Sequence, residues 1–251
     1  MKWTEIQTGK THSAFQHFMV ALGDRADGVV ERINTEPIFV DRLAAYALNG
    51  GVEPTSNQKS AREIMGKNFF GVEEAIKYFG VNPSRRQLVL LSEVPFSEAV
   101  LEECKETHVL VAVIPLSILE IREKVHGKEL FYDQDWYDDE LFAKEKGEIG
   151  WQLTRKTPID NSFSKNWKEQ LTLITEDDEV PTAQVMVYTI IGHYLATGEC
   201  LFKDVYVRTS SVDSDGRRVR VGYFYSGGLR VGGHWDVNRD GSLGLVSSRR
   251  S

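Results

Sequence analysis

Cysteine is nearly missing from this chain. Cys104 and Cys200 are the only two among 251 residues, which excludes a disulfide framework as the source of stability. Long apolar runs are missing too: the longest, residues 109–121, holds Pro115 and is too short for a membrane span. The opening MKWTEIQTGK has neither an apolar core nor a small-residue cleavage site. No secretory signal is therefore expected, and a soluble, cytoplasmic protein is the default expectation. Positive charge is in deficit, with 30 Lys and Arg against 37 Asp and Glu, a formal −7. That argues against a general nucleic-acid binder, whose phosphate contacts need a basic surface. No internal repeat recurs at a fixed period.

The most informative absence is local. Residues 204–251 hold eight arginines and five aspartates, yet no lysine, glutamate or glutamine. In the chain before them roughly one residue in six is Lys or Glu, so about eight would be expected. A tail rich in strands avoids helix formers, and that accounts for part of the bias. It does not account for a complete absence, because exposed strand positions usually admit both residues.

What is present is ordinary globular composition: 41% hydrophobic, 27% charged and 10% aromatic residues. One or two domains with a sizeable core are expected, of α+β class. Helical spacing of apolar residues predicts helices over 12–23 and 40–48, which makes residues 1–60 a small, mainly helical N-terminal region. Residues 61–147 read as an α/β lead-in. They carry a short helix over 73–79 ended by Gly80, a helix capped by Ser97, and a continuous β-branched run over 109–114 expected to be buried on both faces. Residues 131–140, acidic and aromatic, read as a surface loop. From residue 148 the predicted order is a strand over 149–157, a helix to about 174 capped by Ser162 or Ser164, and a helix over 182–196. That second helix is opened by Asp177-Asp178-Glu179 and Pro181 and stopped by Gly198. Strands follow over 205–209, 219–225, 229–235 and 243–248, the middle two forming a hairpin around Ser226-Gly227-Gly228.

This order, with Val-Arg-Thr-Ser-Ser, the glycine-punctuated hairpin, Trp235-Asp236 and Leu243-Gly244-Leu245, resembles the C-type-lectin (formylglycine-generating-enzyme-like) fold over residues 148–251. More specifically it resembles the variable target proteins of diversity-generating retroelements. In that family an error-prone reverse transcriptase rewrites the 3′ end of the gene by randomising template adenines. Asn-type codons then become many residue types but never Lys, Glu, Gln, Met or Trp, so the gap in the tail is what the resemblance implies. It also implies a variable region over about 207–250 on an invariant framework of Val219, Val221, Gly222, Phe224, Gly228, Leu229, Val231, Trp235, Leu243, Gly244 and Leu245.

The diversified, ligand-binding positions would be Arg217, Arg220, Tyr223, Tyr225, Gly227, Arg230, Gly232, Gly233, His234, Asn238, Asp240 and Ser242, each reachable from such a codon by changing adenines alone. Strand alternation places Tyr223 and Tyr225 opposite Phe224. Arg220 falls on the other parity, so a bulge or irregular turn is needed between them. Tyr and Arg are the types best able to anchor a partner. Gly227, Gly232 and Gly233 are expected to leave room for a convex one. The arginines suit an acidic patch on a macromolecular ligand, a protein, and homo-oligomers are compatible with this reading. The alternative is a non-diversified lectin-like structural or assembly module.

No cofactor or metal is expected. Asp236-Val-Asn238-Arg-Asp240-Gly241 opens like an EF-hand calcium loop, but its twelfth position is Ser247 rather than Glu, and its flanks read as strands. Thr8-Gly9-Lys10-Thr11 lacks the first glycine of a phosphate-binding loop. Catalysis is not expected either. His12, His17 and His193 read as surface or packing residues, and the tail has none of the cysteines that the lectin-fold oxidases use.

Overall fold

The computed structural model describes residues 8–48, 51–126 and 129–250. The chain divides into two compact units, Met1–Gly51 and Val52–Ser251.

The first unit contains α1 (Thr8–Leu22), a 3-10 turn, α2 (Ala26–Thr35) and α3 (Pro37–Leu48). Pro37 takes the first helical position, where its missing N–H costs nothing. The Arg32 guanidinium pairs with Glu36 at 3.1 Å and lies 3.9 Å above the Phe39 ring.

The second unit begins with α4 (Ser56–Met65), β1 (Phe69–Phe70), α5 (Val72–Phe79), α6 (Arg85–Leu90) and α7 (Glu98–Cys104). Next come β2 (His108–Val113), α8 (Ile118–Lys124), α9 (Leu141–Lys144), β3 (Gly150–Arg155), α10 (Trp167–Leu171) and β4 (Asp178–Glu179). It ends with α11 (Ala183–Thr197), β5 (Tyr206–Val212), β6 (Arg218–Tyr225), β7 (Gly228–His234), β8 (Leu243–Leu245) and β9 (Ser248–Arg249). Helix starts follow capping chemistry: Ser97 accepts from the Val100 N–H, and Thr55, Ser84, Ser117 and Asn166 each close a capping box. Gly80 and Gly198 end α5 and α11 in the left-handed region.

The strands form two sheets, a five-stranded one ordered β1-β2-β3-β9-β4 and a four-stranded one ordered β7-β6-β5-β8. All of β2 is buried, as its unbroken apolar run implies. β2 pairs antiparallel with β3, so residues on either side of position 147 share one sheet and one core. The first strand after that position, β3, also pairs with the last strand of the chain, β9. α11 packs on β2 of one sheet and on β5 and β6 of the other. This explains why it is apolar all round and buried from Ala183 to His193. Tyr188 donates to the Ala112 carbonyl at 3.1 Å on one side, and Tyr194 meets Phe224 edge-on at 5.0 Å on the other.

Two local expectations are corrected. Asn166, not Ser162 or Ser164, caps α10. The Ser162 hydroxyl instead accepts from the Leu245 N–H at 3.0 Å, a partner 83 residues away. Asp178 and Glu179 do not open α11 but form β4 against β9, and Thr182 is the cap.

Residues 131–140 are more than a surface loop, because they cover the free edge of β7. The Leu229 N–H donates to Leu130 O at 2.8 Å, and Tyr132 N–H to Leu229 O at 3.0 Å. The Gln134 and Trp136 side chains both donate to Val231 O, and Tyr137 is fully buried. An edge that would otherwise template aggregation is thereby closed.

Gly228 makes that cover possible. Its φ is +88°, and a Cβ there would stand 2.3 Å from the Phe131 carbonyl carbon. Gly228→Ala is expected to cost about 3 kcal/mol, from left-handed strain plus backbone displacement. Urea unfolding of the variant measures this. A loss under about 1 kcal/mol would mean that residues 130–138 detach freely.

Candidate functional site

β6 carries the centre of the site. Along it Arg218 and Arg220 point outward while Val219 and Val221 are buried. The pairing with β7 then shifts register between Gly222 and Tyr225. At this bulge Gly222 has φ +151°, and a Cβ there would fall 2.1 Å from the Val205 carbonyl oxygen. Tyr223 follows at φ +47°, a left-handed conformation uncommon for an aromatic residue. The extra residue flips the alternation, so Tyr223 and Tyr225 now face outward and Phe224 inward. The expected bulge is present, and it brings Arg220 and Tyr223 to the same side.

They meet over Tyr206, at the start of β5. Its ring lies 4.6 Å from that of Tyr223 and 4.2 Å from the Arg220 guanidinium. Arg220 also faces Asp240 at 3.5 Å, and His234 approaches the same carboxylate at 3.8 Å. Asp240 is shaped by a turn: its Oδ1 accepts from both the N–H and the hydroxyl of Ser242 at 2.8 Å. The Ser242 N–H is the main reason its carboxyl is held below the usual range. Burial, helped by Arg220 and Arg208, pushes the His234 imidazole down and keeps it neutral.

A second group forms at the hairpin end. Arg230 donates to the Tyr225 hydroxyl at 2.7 Å and lies 4.2 Å above the ring of Tyr132, which comes from the loop covering β7. Gly227 is exposed beside Tyr225 and Tyr132.

Beneath the surface is a residue that sequence reasoning missed. Arg208 of β5 is fully buried. It donates to the carbonyls of Lys165 and Asn238, to Gln170 Oε1 and to His234 Nδ1, at 2.8 to 3.1 Å. Those bonds tie residues 235–242 to α10 and assign the His234 proton to Nε2. Burial pushes the Arg208 pKa down from its ordinary value, with Asp236 the main opposing charge. No local pattern marks Arg208, because its partners come from two stretches far from it in the chain, residues 165–170 and 234–238. Tyr132 and Tyr206 lie before residue 207 and were missed for the same reason.

Several expected positions lie elsewhere. Arg217 bonds Asp213 at 2.8 Å and Asp215 at 3.1 Å. Gly233 presses on that pair, since a Cβ would stand 2.7 Å from Asp213 Oδ2. Register places Gly233 opposite buried Val219, so Arg217 and Gly233 belong to the other side of the hairpin from Arg220. Gly232 lies on the right side, but the space above it is filled by Arg220, 3.3 Å from its Cβ position. Gly232 and Gly233 therefore leave no open room. The Asn238 side chain is exposed, while its carbonyl serves Arg208.

Of the expected framework, Trp235 is the exception, half exposed while the other ten residues are buried. The carboxylate of Asp236, the first of the EF-hand-like positions, is forked by Arg218 at 2.9 and 3.3 Å. Among the described residues no group of three His, Cys, Asp or Glu is placed to hold a metal. Burial pushes the thiols of Cys104 and Cys200 up, which disfavours the nucleophilic thiolate. No helix among the described residues is long and apolar enough to cross a membrane.

Comparison of the chain with protein-family models, with curated proteins and with solved structures returned no match.

Proposed function

We propose that this chain is a hypervariable ligand-binding protein, a target of diversity-generating retroelement mutagenesis, whose lectin-like C-terminal segment presents a diversified surface to protein ligands. The observation that carries this reading is the partition of residues 207–250. Arg220, Tyr223, Tyr225, Arg230, Gly232 and His234 stand on the outward side of β6 and β7, all of types reachable by adenine changes. Val219, Val221, Phe224, Leu229, Val231, Leu243 and Leu245 pack inside. A surface that is rewritten must be separable from the core in this way, or each new variant would unfold.

Two further features support it. First and last strands of residues 148–251 pair as β3 and β9, with two helices and a second sheet between them, an arrangement compatible with a lectin-like fold. Two of the surface residues also rest on aromatics outside the variable segment, Arg220 on Tyr206 and Arg230 on Tyr132. A constant aromatic platform beneath a changeable side chain offers contact area whatever residue stands above it. The reading assigns no catalytic residue; binding is by a rigid β scaffold.

Sequencing the DNA around the gene tests this. The expected result is a near-copy of the codons for residues 207–250 beside a reverse-transcriptase gene, differing only where the copy carries adenine. A locus with neither, in which sibling genes tolerate only conservative change at these positions, would favour a fixed structural module instead.

A further inference from the structure

Six of the eight arginines of residues 204–251 have a carboxylate within 4.0 Å: Arg217, Arg218, Arg220, Arg239, Arg249 and Arg250. Arg208 is buried among carbonyls and a side-chain amide. Arg230 alone of the eight has neither an acidic partner nor a buried hydrogen-bond network among the described residues. Its Nε–H is shielded from water and has no acceptor among the described residues. Its plane is held over Tyr132 at 4.2 Å, and one NH2 hydrogen is fixed on the Tyr225 hydroxyl. A guanidinium that is oriented, partly desolvated and short of acceptors is prepared to receive an oxyanion, because little side-chain entropy remains to be lost.

We propose that Arg230, clamped by Tyr132 and Tyr225, is a subsite for a carboxylate, the side chain of an Asp or Glu on a protein partner. The proposal rests on the reading of this face as a ligand-binding surface. The neighbourhood selects a carboxylate over a phosphate. Tyr132 borders a hollow of about 790 Å³ also lined by Glu129, Asp133 and Asp135. Their charges oppose any anion, and a phosphate group carrying close to two negative charges is opposed more than a carboxylate carrying one. A partner must therefore offer one acid at Arg230 and none over residues 129–135. Tyr132 lies before residue 207, so it keeps its place as one jaw when the other residues are rewritten.

The probe is the peptide Ac-Ala-Glu-Ala-NH2, titrated into the full chain while the Arg230 Nε–H resonance is followed by NMR, that resonance being assigned by its loss in Arg230→Lys. The expected result is a saturable shift in the millimolar range. It should be absent with Ac-Ala-Gln-Ala-NH2 or with sodium chloride at equal ionic strength, and about threefold weaker in Tyr132→Ala, as an exposed cation–π contact predicts. Tyr132 is 39% exposed, and an otherwise unchanged spectrum verifies that this variant is folded. A shift no larger than that with the glutamine peptide would overturn the proposal. Saturation by inorganic phosphate at lower concentration than by the glutamate peptide would overturn the choice of carboxylate. The titration reads Arg230 alone and the gene locus reads diversification alone, so either idea can fail without the other.

Discussion

Replacing Arg208 by methionine is expected to lower the unfolding free energy by about 3 to 5 kcal/mol, the range for breaking a buried charged network. Methionine fills much of the same volume but donates nothing. The carbonyls of Lys165 and Asn238, the Gln170 amide oxygen and His234 Nδ1 would all lose their donor together. The loss should not be confined to global stability. Residues 235–242, which carry Asn238, Asp240 and Ser242, are tied to α10 through this side chain, the Trp167 N–H bond to Asp236 O and the exposed Arg239–Glu169 ion pair. Amide exchange in that loop should accelerate more than exchange in β6. Urea unfolding and hydrogen exchange measure the two effects. A cost below about 1 kcal/mol would mean that water replaces the guanidinium and that the loop is held by other contacts. Arg208→Lys should fall between, since one ammonium reaches fewer of the four acceptors.

Acid is expected to weaken the fold well before the carboxylates are fully protonated. His108 is the buried first residue of β2, with its Nδ1 2.8 Å from the Thr107 hydroxyl. Burial, with Arg155 and Arg249 adding to it, lowers its pKa from 6.5 to about 4. The unfolded chain therefore takes up a proton at this histidine that the folded chain refuses, over the whole interval from pH 6.5 down to 4. Stability must fall as the pH drops through that window and level off below it as far as this group is concerned. Between pH 7 and pH 4.5 the loss from His108 is about 2.5 kcal/mol. His193, pushed down by burial despite Glu199 at 3.5 Å, works in the same direction. Unfolding His108→Phe alongside the parent protein at both pH values isolates the effect. The variant should lose about 2.5 kcal/mol less on acidification. Equal losses in both proteins would assign the acid sensitivity to other groups.

Both effects concern residues whose identity gives little warning of their role. Arg208 reads locally as one polar position in a strand, and His108 as the polar start of a β-branched run. What could be read locally was whatever depends on near neighbours in the chain. The α5 stop at Gly80, the Ser97 cap, the buried run of β2 and the hairpin around Gly227 all follow from spacing, capping and turn chemistry. The bulge between Arg220 and Tyr223 was also legible, because only a parity change could bring them to one face.

The failures share a physical cause. Asp178 and Glu179 became a strand because Ser248 and Arg249 lie beside them, and Ser162 was taken from its capping role by Leu245. Residues 131–140 became a sheet cover because the edge of β7 needed partners. Gly232 and Gly233, which look like open space in the sequence, are filled by Arg220 and pressed by the Asp213–Arg217 pair.

The sequence by itself determined the α+β class, most element positions, the buried side of the C-terminal hairpin, and the anomalous residue usage of its tail. These depend on periodicity and composition, which act over a few residues. Only the tertiary structure decided that Tyr206 and Tyr132 underlie the two arginines, that Arg217 faces away, and that Arg230 alone among the tail arginines has neither an acid partner nor a buried network among the described residues. Each depends on contacts between segments far apart in the chain, and such contacts are set by how two sheets close around α11, which no local pattern encodes.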